Sequence, residues 1–535
     1  MTLAIDLSVP DDFNWAYDVV DRWGDDLQKV AMHWVGPTGE ERTITFATFK
    51  ERSDRLASGL EAAGLARGDR TFLMLPRVPA WWESILGLLK LGSVSMPGTV
   101  LLTPKDIAFR INAAAARCVI TDADGAARVD QVRDQCPTLA VLVVVDGARP
   151  GWQRFEQVVA AGQAPRPRMP TPSDDPAMIY FTSGTVGNPK MVLHTHATYP
   201  IGHRITGTYW LDLTPDDLHW NLSDTGWAKA AWSSLFGPWN MGAAIFVHDG
   251  RGKYHPRETL ELLARYPITS FCAAPTIYRL LVQEDLKAYR FPLLRSCVGA
   301  GEPLNPEVIA IWQAATGLTI RDGYGQTESV LLCGNPPGAE VRPGSMGRPL
   351  PGLELAVIDD DANPLPPGRE GDLAVKVRPT RPVGLFKEYW QNPNATAACH
   401  RGDWYVTGDR AYVDEDGYFW FVGRADDVII SAGYRIGPFE VESALIEHPA
   451  VAEAAVVAKP DPARGAIVKA YVILRAGYQP SDELAHELQE FVKASTAPYK
   501  YPREITFVSD LPKTVSGKIR RVELRSMAQK EASGS

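Results

Sequence analysis

The sequence predicts an α/β protein: a large N-terminal domain of parallel-rich sheets covered by helices and carrying a β-rich subdomain, then a small α+β C-terminal domain. Three observations lead there. The 535 residues lie far beyond the roughly 250–300 at which a single hydrophobic core stops growing, so at least two domains are expected. Helix and strand periodicities alternate from Thr43 onward, as they do when parallel strands are joined by crossover helices. After Gly347 the texture changes to short strand-like runs divided by turn clusters.

In chain order, Phe49, Leu56 and Leu60 share one helical face, and Gly64 follows as a cap. Residues 70–75 read as a buried strand ended by Pro76, and 81–91 as an apolar helix stopped by Gly92. Residues 119–121 and 140–145 read as further buried strands. Residues 162–176, rich in proline and polar side chains, form a surface connection into a strand at 177–181. The β-rich subdomain, about 347–425, has strand-like runs at 353–358, 372–377 and 418–422. Asp359-Asp360-Asp361 and Asp414-Glu415-Asp416-Gly417 supply its turns.

The N-terminal domain is expected to cover 1–425 and the C-terminal one 426–535. In the latter, a helix at 439–447, strands at 451–458 and 470–474, and an amphipathic helix at 481–494 with Ser481 as its cap are expected. The tail, 529–535, is expected to be disordered.

Composition excludes several classes. A net charge of −9 repels phosphate-rich partners at long range, which argues against nucleic acid and membrane surfaces. The six cysteines show no Cys-x-x-Cys pair, a pattern of reduced thiols rather than a disulfide frame or a zinc site. The first twenty residues carry Asp6, Asp11 and Asp12 and read as neither a secretory nor a transit signal. No apolar run is long enough to span a membrane. A cytoplasmic enzyme is expected, with monomer and homodimer both open.

The chemistry begins at Thr182-Ser183-Gly184-Thr185-Val186-Gly187-Asn188-Pro189-Lys190. Glycines let successive backbone N–H groups face one anion, hydroxyls add donors and a lysine adds a point charge. No Gly-Lys-Ser/Thr triplet ends the loop, so it is not a Walker A box. The loop resembles the phosphate-loop motif of the adenylate-forming superfamily of acyl-CoA synthetases, peptide-synthetase adenylation domains and luciferases. Other motifs extend the resemblance from about Thr43 to Arg525, and the chain looks most like the medium-chain acyl-CoA synthetases. Val186 departs from the pattern, standing where relatives carry a hydroxyl.

The resemblance implies roles. Thr182, Ser183, Gly184, Thr185 and Lys190 would hold the triphosphate of ATP. Gly301, Glu302 and Pro303 would line the adenine, together with Asp322, Gly323 and Tyr324. Thr327 would donate to the α-phosphate and Glu328 would ligate Mg²⁺, since magnesium sites use one or two carboxylates plus substrate phosphates. Asp409 would accept from both ribose hydroxyls, with Arg424 beside it. Lys518 would bridge the substrate carboxylate and the α-phosphate. Asp426 falls at the superfamily's hinge, and Gly433, Tyr434 and Arg435 in the segment that swings in for coenzyme A.

The residues matching the acid pocket are Trp227, Ala228, Lys229, Ala300 and Gly325. Acetate-specific relatives place a tryptophan where Gly325 stands. At about 0.8 kcal/mol per buried CH₂, the missing indole implies room for about four to ten carbons, branched or aromatic acids included. The implied reaction is a two-step ligation: ATP and acid give acyl-AMP and pyrophosphate, then coenzyme A displaces AMP. The alternative acceptor is the phosphopantetheine of a carrier protein.

Overall fold

The computed structural model describes residues 5–182, 189–432, 434–462, 464–513 and 518–533. Strand and helix alternate as the sequence dictates, but they build two large sheets. In one, Leu218–Leu222, Ala244–His248, Ser270–Ala273, Ser296–Ala300 and Ile320–Gly325 run parallel, with antiparallel strands at both edges. The other centres on Arg70–Met74, Val94–Pro97, Cys118–Asp122, Val141–Val145 and Pro176–Thr182, also parallel.

The helices explain why the two sheets join. Pro79–Leu91 is buried at every position, so it cannot lie on a surface. It starts on a proline and ends at Gly92, whose left-handed backbone (φ +76°) suits a residue without Cβ. Phe46–Ala62 packs beside it, its N-cap Thr45 accepting from the Thr48 amide at 3.2 Å. Between the sheets lies one core that takes Ile120 and Val143 from one and Ile245 and Val298 from the other, with Trp81, Trp82, Trp210, Trp232 and Trp239 among its aromatic members. Burying each such ring contributes a few kcal/mol.

The β-rich segment forms its own five-stranded sheet around Gly371–Lys376 and Trp404–Val413. It is sewn to both large sheets, because Arg348–Pro349 pairs with one and Glu388–Tyr389 with the other. The last part of the chain has a separate core, including Ile429, Val441, Leu445, Val456, Val472 and Leu488. There Val451–Asp461, Gly465–Leu474 and Glu504–Phe507 form a three-stranded sheet. The helix Asp482–Ser495 is capped by Ser481, whose hydroxyl accepts from the Leu484 amide.

The expectation of a disordered tail is overturned over its first part. Arg521–Ser533 is a helix: Ala528 is buried and Glu531 forms ion pairs with Lys459 and Lys469. These partners lie in distant strands, so composition alone cannot show the anchoring. Residues 534 and 535 lie outside the described residues. Among the described residues no helix is long and apolar enough to cross a membrane.

Candidate active site

Strand Ile320–Gly325 leads directly into Gln326, Thr327 and Glu328, the rest of its motif. Two buried groups clamp this turn at one atom, the Thr327 carbonyl oxygen. His194 Nε2 donates to it at 2.8 Å, and the Tyr199 hydroxyl donates to it as well. A carbonyl only accepts, so the His194 proton is on Nε2 and Nδ1 accepts from Thr198 Oγ1 at 3.1 Å. Burial pushes the His194 pKa down to about 3. Both nitrogens are engaged in support of the turn.

Glu328 is paired at its carboxylate: the Tyr389 hydroxyl donates to Oε1 at 2.9 Å. Burial raises its pKa above the usual carboxylate range, against the Tyr389 hydrogen bond and the charges of Arg424 and Lys190. Lys190 lies 4.7 Å from the centre of the Tyr389 ring. Thr182 and Lys190 face each other in antiparallel register, so the strands that flank the loop bring the lysine to Glu328. Ser183, Gly184, Thr185 and Val186 lie outside the described residues.

Asp409 is the second centre. It is buried and accepts at Oδ2 from the Tyr324 hydroxyl at 2.5 Å and from Gln326 Nε2 at 2.8 Å. Arg424, its register partner on the next strand, approaches Oδ1 at 3.3 Å. Burial raises the Asp409 pKa, while Arg424, Tyr324, Gln326 and Lys518 oppose that shift. Lys518 is therefore within electrostatic reach of Asp409, and it also bears on Lys229. Its own side chain is exposed.

Around the neighbouring strand end, Lys229 Nζ donates to the Ala300 carbonyl at 3.0 Å. Its pKa is lowered, chiefly by burial. Glu302 is committed elsewhere: its carboxylate accepts from Thr276 Oγ1 and Arg279 Nη2, each at about 3 Å. It thus braces the Gly301–Pro303 turn, where Gly301 adopts φ +106°.

Asp322, buried below, accepts from the Gly323 amide at 2.9 Å, and burial pushes its pKa up to about 8. The folded state consequently binds one extra proton between the ordinary carboxylate range and about pH 8, and stability falls as pH rises through that window. Asp322→Asn removes the titration and keeps the accepting oxygen. In thermal melts its Tm relative to wild type is expected to climb from pH 4 to pH 8; a constant offset would contradict the shift.

The acid-pocket residues meet in part. Ala228 and Ala300 are buried, and Trp227 is the N-cap of the short helix Ala228–Ala231. Gly325 differs from the sequence reading. A Cβ built there would lie 2.5 Å from the Val330 carbonyl oxygen and 2.7 Å from Trp232 Cη2, so the volume an indole would take at 325 is filled. Of the remaining expected residues, Asp426 accepts at its carbonyl from Arg525 at 3.4 Å, and Tyr434 is exposed, stacked on Tyr499 at 4.4 Å. Arg435 contributes backbone to the strand Tyr434–Ile436; Gly433 lies outside the described residues. Among the described residues no group of three or more His, Cys, Asp or Glu could hold a metal, so a cation at Glu328 would need substrate phosphates to complete its shell.

Tyr389, Gln326, His194, Tyr199 and Trp232 were not singled out as site residues from sequence. Gln326 alone had a signal, since it lies inside the 322–328 motif.

A buried aspartate held by a tyrosine, a glutamine and an arginine, with two lysines bearing on it and on Glu328, invites comparison with known proteins. The family model described as AMP-binding enzyme matches residues 21–390, and the AMP-binding enzyme C-terminal domain matches 440–518. The chain belongs to the AMP-binding enzyme family. This AMP-binding enzyme is 49% identical over 529 residues to acyl-coenzyme A synthetase ACSM3, mitochondrial, of Homo sapiens, covering 97% of the chain and 90% of that relative. It is 48% identical over 527 residues to acyl-coenzyme A synthetase ACSM4, mitochondrial, of Rattus norvegicus, covering 97% and 91%. Among solved structures, the anthranilate CoA ligase AuaEII in complex with anthranoyl-AMP superposes with a TM-score of 0.91 at 31% identity, covering 99% of this chain and 100% of that one. A Brucella canis acyl-CoA synthetase superposes with a TM-score of 0.75 at 34% identity, covering 98% and 96%.

Proposed function

We propose that this acyl-CoA synthetase activates a medium-chain carboxylic acid, of about four to ten carbons, and passes the acyl group to coenzyme A. One observation supports the reading: Lys190 and Arg424 bear on Glu328, and Arg424 and Lys518 bear on Asp409, so cations and carboxylates that a nucleotide with an activated α-phosphate requires act on one another. In this reading Asp409 accepts from the ribose hydroxyls beside Arg424, and Tyr324 and the Gly301–Pro303 turn flank the adenine. Asp322, protonated at neutral pH, offers both an acceptor and an O–H donor to the base edge. Lys190 and the loop before it hold the β- and γ-phosphates. Mg²⁺ at Glu328 would offset charge on the phosphates.

Lys518 draws the acid's carboxylate toward the α-phosphorus. A carboxylate oxygen attacks, the bond to pyrophosphate breaks, and acyl-AMP remains. After rotation about Asp426, the coenzyme A thiol attacks the acyl carbonyl, gives up its proton, and AMP departs with the C–O bond electrons. The domains meeting at Asp426 are residues 1–425 and 426–535 in this reading. The proposed compartment is the cytoplasm, supported by six cysteines that are all free thiols, as a reducing compartment keeps them.

The test is coenzyme A-dependent AMP release across C2 to C12, branched and aromatic acids. A peak between C4 and C10 is expected, and a preference for acetate would overturn it. The second reading, transfer to a carrier protein, predicts release with a holo-carrier and none with free coenzyme A.

A further inference from the structure

We propose that Asn305 and Ser443 are positioning residues, whose hydrogen bond holds the C-terminal domain in the orientation that presents Lys518 to the nucleotide. The inference rests on the two-step reading above, with residues 1–425 and 426–535 turning about Asp426.

Asn305 opens the helix Pro306–Thr316, two positions beyond the Gly301–Pro303 turn. An asparagine at a helix start ordinarily spends its side-chain oxygen on an amide of the first turn. Asn305 makes no such cap, although it is only 2% exposed. Its carboxamide is used on two other groups instead. Oδ1 accepts from Arg279 Nη1 at 3.3 Å, and Nδ2 donates to Ser443 Oγ at 3.2 Å. Arg279 also donates through Nη2 to Glu302, the carboxylate that braces the turn. One guanidinium thus joins the turn assigned to the adenine to the amide that reaches the other domain.

Ser443 lies on the helix Pro438–Glu447. Val441, Ala444 and Leu445 of that helix belong to the core of the C-terminal domain, so a hold on Ser443 is passed to the domain as a body. Its neighbour Glu442 connects the same helix to the segment of Lys518. Both Glu442 carboxylate oxygens accept from Arg521 Nη2 at 2.7 Å, and Oε1 also accepts from the Val456 amide at 2.8 Å. Arg521 stands three positions after Lys518. Other groups meet across the same face. The charge of Glu302 bears on Arg521, and those of Arg475 and Glu447 bear on Glu307. The helix start is also seated closely, since a Cβ at Gly437 would lie 2.2 Å from the Val422 carbonyl oxygen. A neutral hydrogen bond is worth about a three- to tenfold bias. That favours one orientation and still lets the domain turn for the second step.

The experiment compares full-length wild type with Ser443→Ala, Ser443→Thr and Asn305→Ala. It measures acid-dependent ATP–pyrophosphate exchange and single-turnover thioester formation from supplied acyl-AMP. In Ser443→Ala the ratio of exchange rate to thioester rate is expected to fall about three- to tenfold, with KM for the acid unchanged. Asn305→Ala is expected to lower the ratio at least as far, since it also releases Arg279. Ser443→Thr keeps the hydroxyl and is expected to recover most of the ratio. A residue with a merely structural role would lower both half-reactions together. An unmoved ratio in Ser443→Ala overturns the inference, and so does an equal loss in both halves. If Asn305→Ala does not fold, Ser443→Ala decides. A wild type that exchanges pyrophosphate with no acid of the C2 to C12 panel overturns the two-step reading itself.

Discussion

Lys518→Ala is expected to abolish adenylate formation while leaving thioester formation from supplied acyl-AMP largely intact. The expectation follows from where charge develops. As the carboxylate approaches the α-phosphate, two anionic groups are forced together, and a cation between them is worth most at the transition state. Loss of one such preorganised donor costs about 10²–10³ in rate. Lys518 bears electrostatically on both Asp409 and Lys229, so its charge reaches a residue assigned to the nucleotide and one assigned to the acid. The thioester step has no phosphorus under attack and no need of that cation. Acid-dependent ATP–pyrophosphate exchange and single-turnover thioester formation from synthetic acyl-AMP read the two halves apart. Equal loss in both would refute the role.

Asp409→Ala is expected to raise KM for ATP by about 10²- to 10⁴-fold, from about 3–6 kcal/mol for two hydrogen bonds to a charged acceptor. The change has a second cost. Tyr324, Gln326 and Arg424 all converge on this carboxylate, and removing it strands buried donors. Asp409→Asn separates the two effects, because it keeps an accepting oxygen for the neighbours and loses the charge. Its KM is expected to fall between the two, with a Tm closer to wild type. A KM for ATP unchanged in the alanine variant would remove Asp409 from the ribose.

The motif around 322–328 and the flanks of the phosphate loop are local runs that the sequence shows directly, whereas Asp409 and Arg424 were singled out only through the family resemblance, and their pairing across adjacent strands appears only in the structure. The sheet order was legible only as a class. Alternating strands and helices imply parallel sheets, but nothing local divides them into two. Other features depend on partners that sequence spacing cannot join. Tyr389 reaches Glu328 across 61 positions, and His194 reaches the Thr327 carbonyl across 133. The tail was misread for the same reason, since the strand lysines that pair with Glu531 lie far upstream. Gly325 shows a different limit. A missing side chain was read as missing volume, whereas volume belongs to a neighbourhood, and Trp232 had already filled it.

The clamp on the Thr327 carbonyl has a consequence for acidity. His194 is joined by other enclosed imidazoles that burial holds far from protonation: His219 near 3, His196 near 4, and His203 well below its usual value. None of these four rings changes charge between pH 5 and 7, the interval in which an ordinary histidine would. The supports beneath the catalytic turn therefore present the same hydrogen bonds throughout mild acidification. Charging of these four rings adds nothing to any curvature the rate shows in that interval.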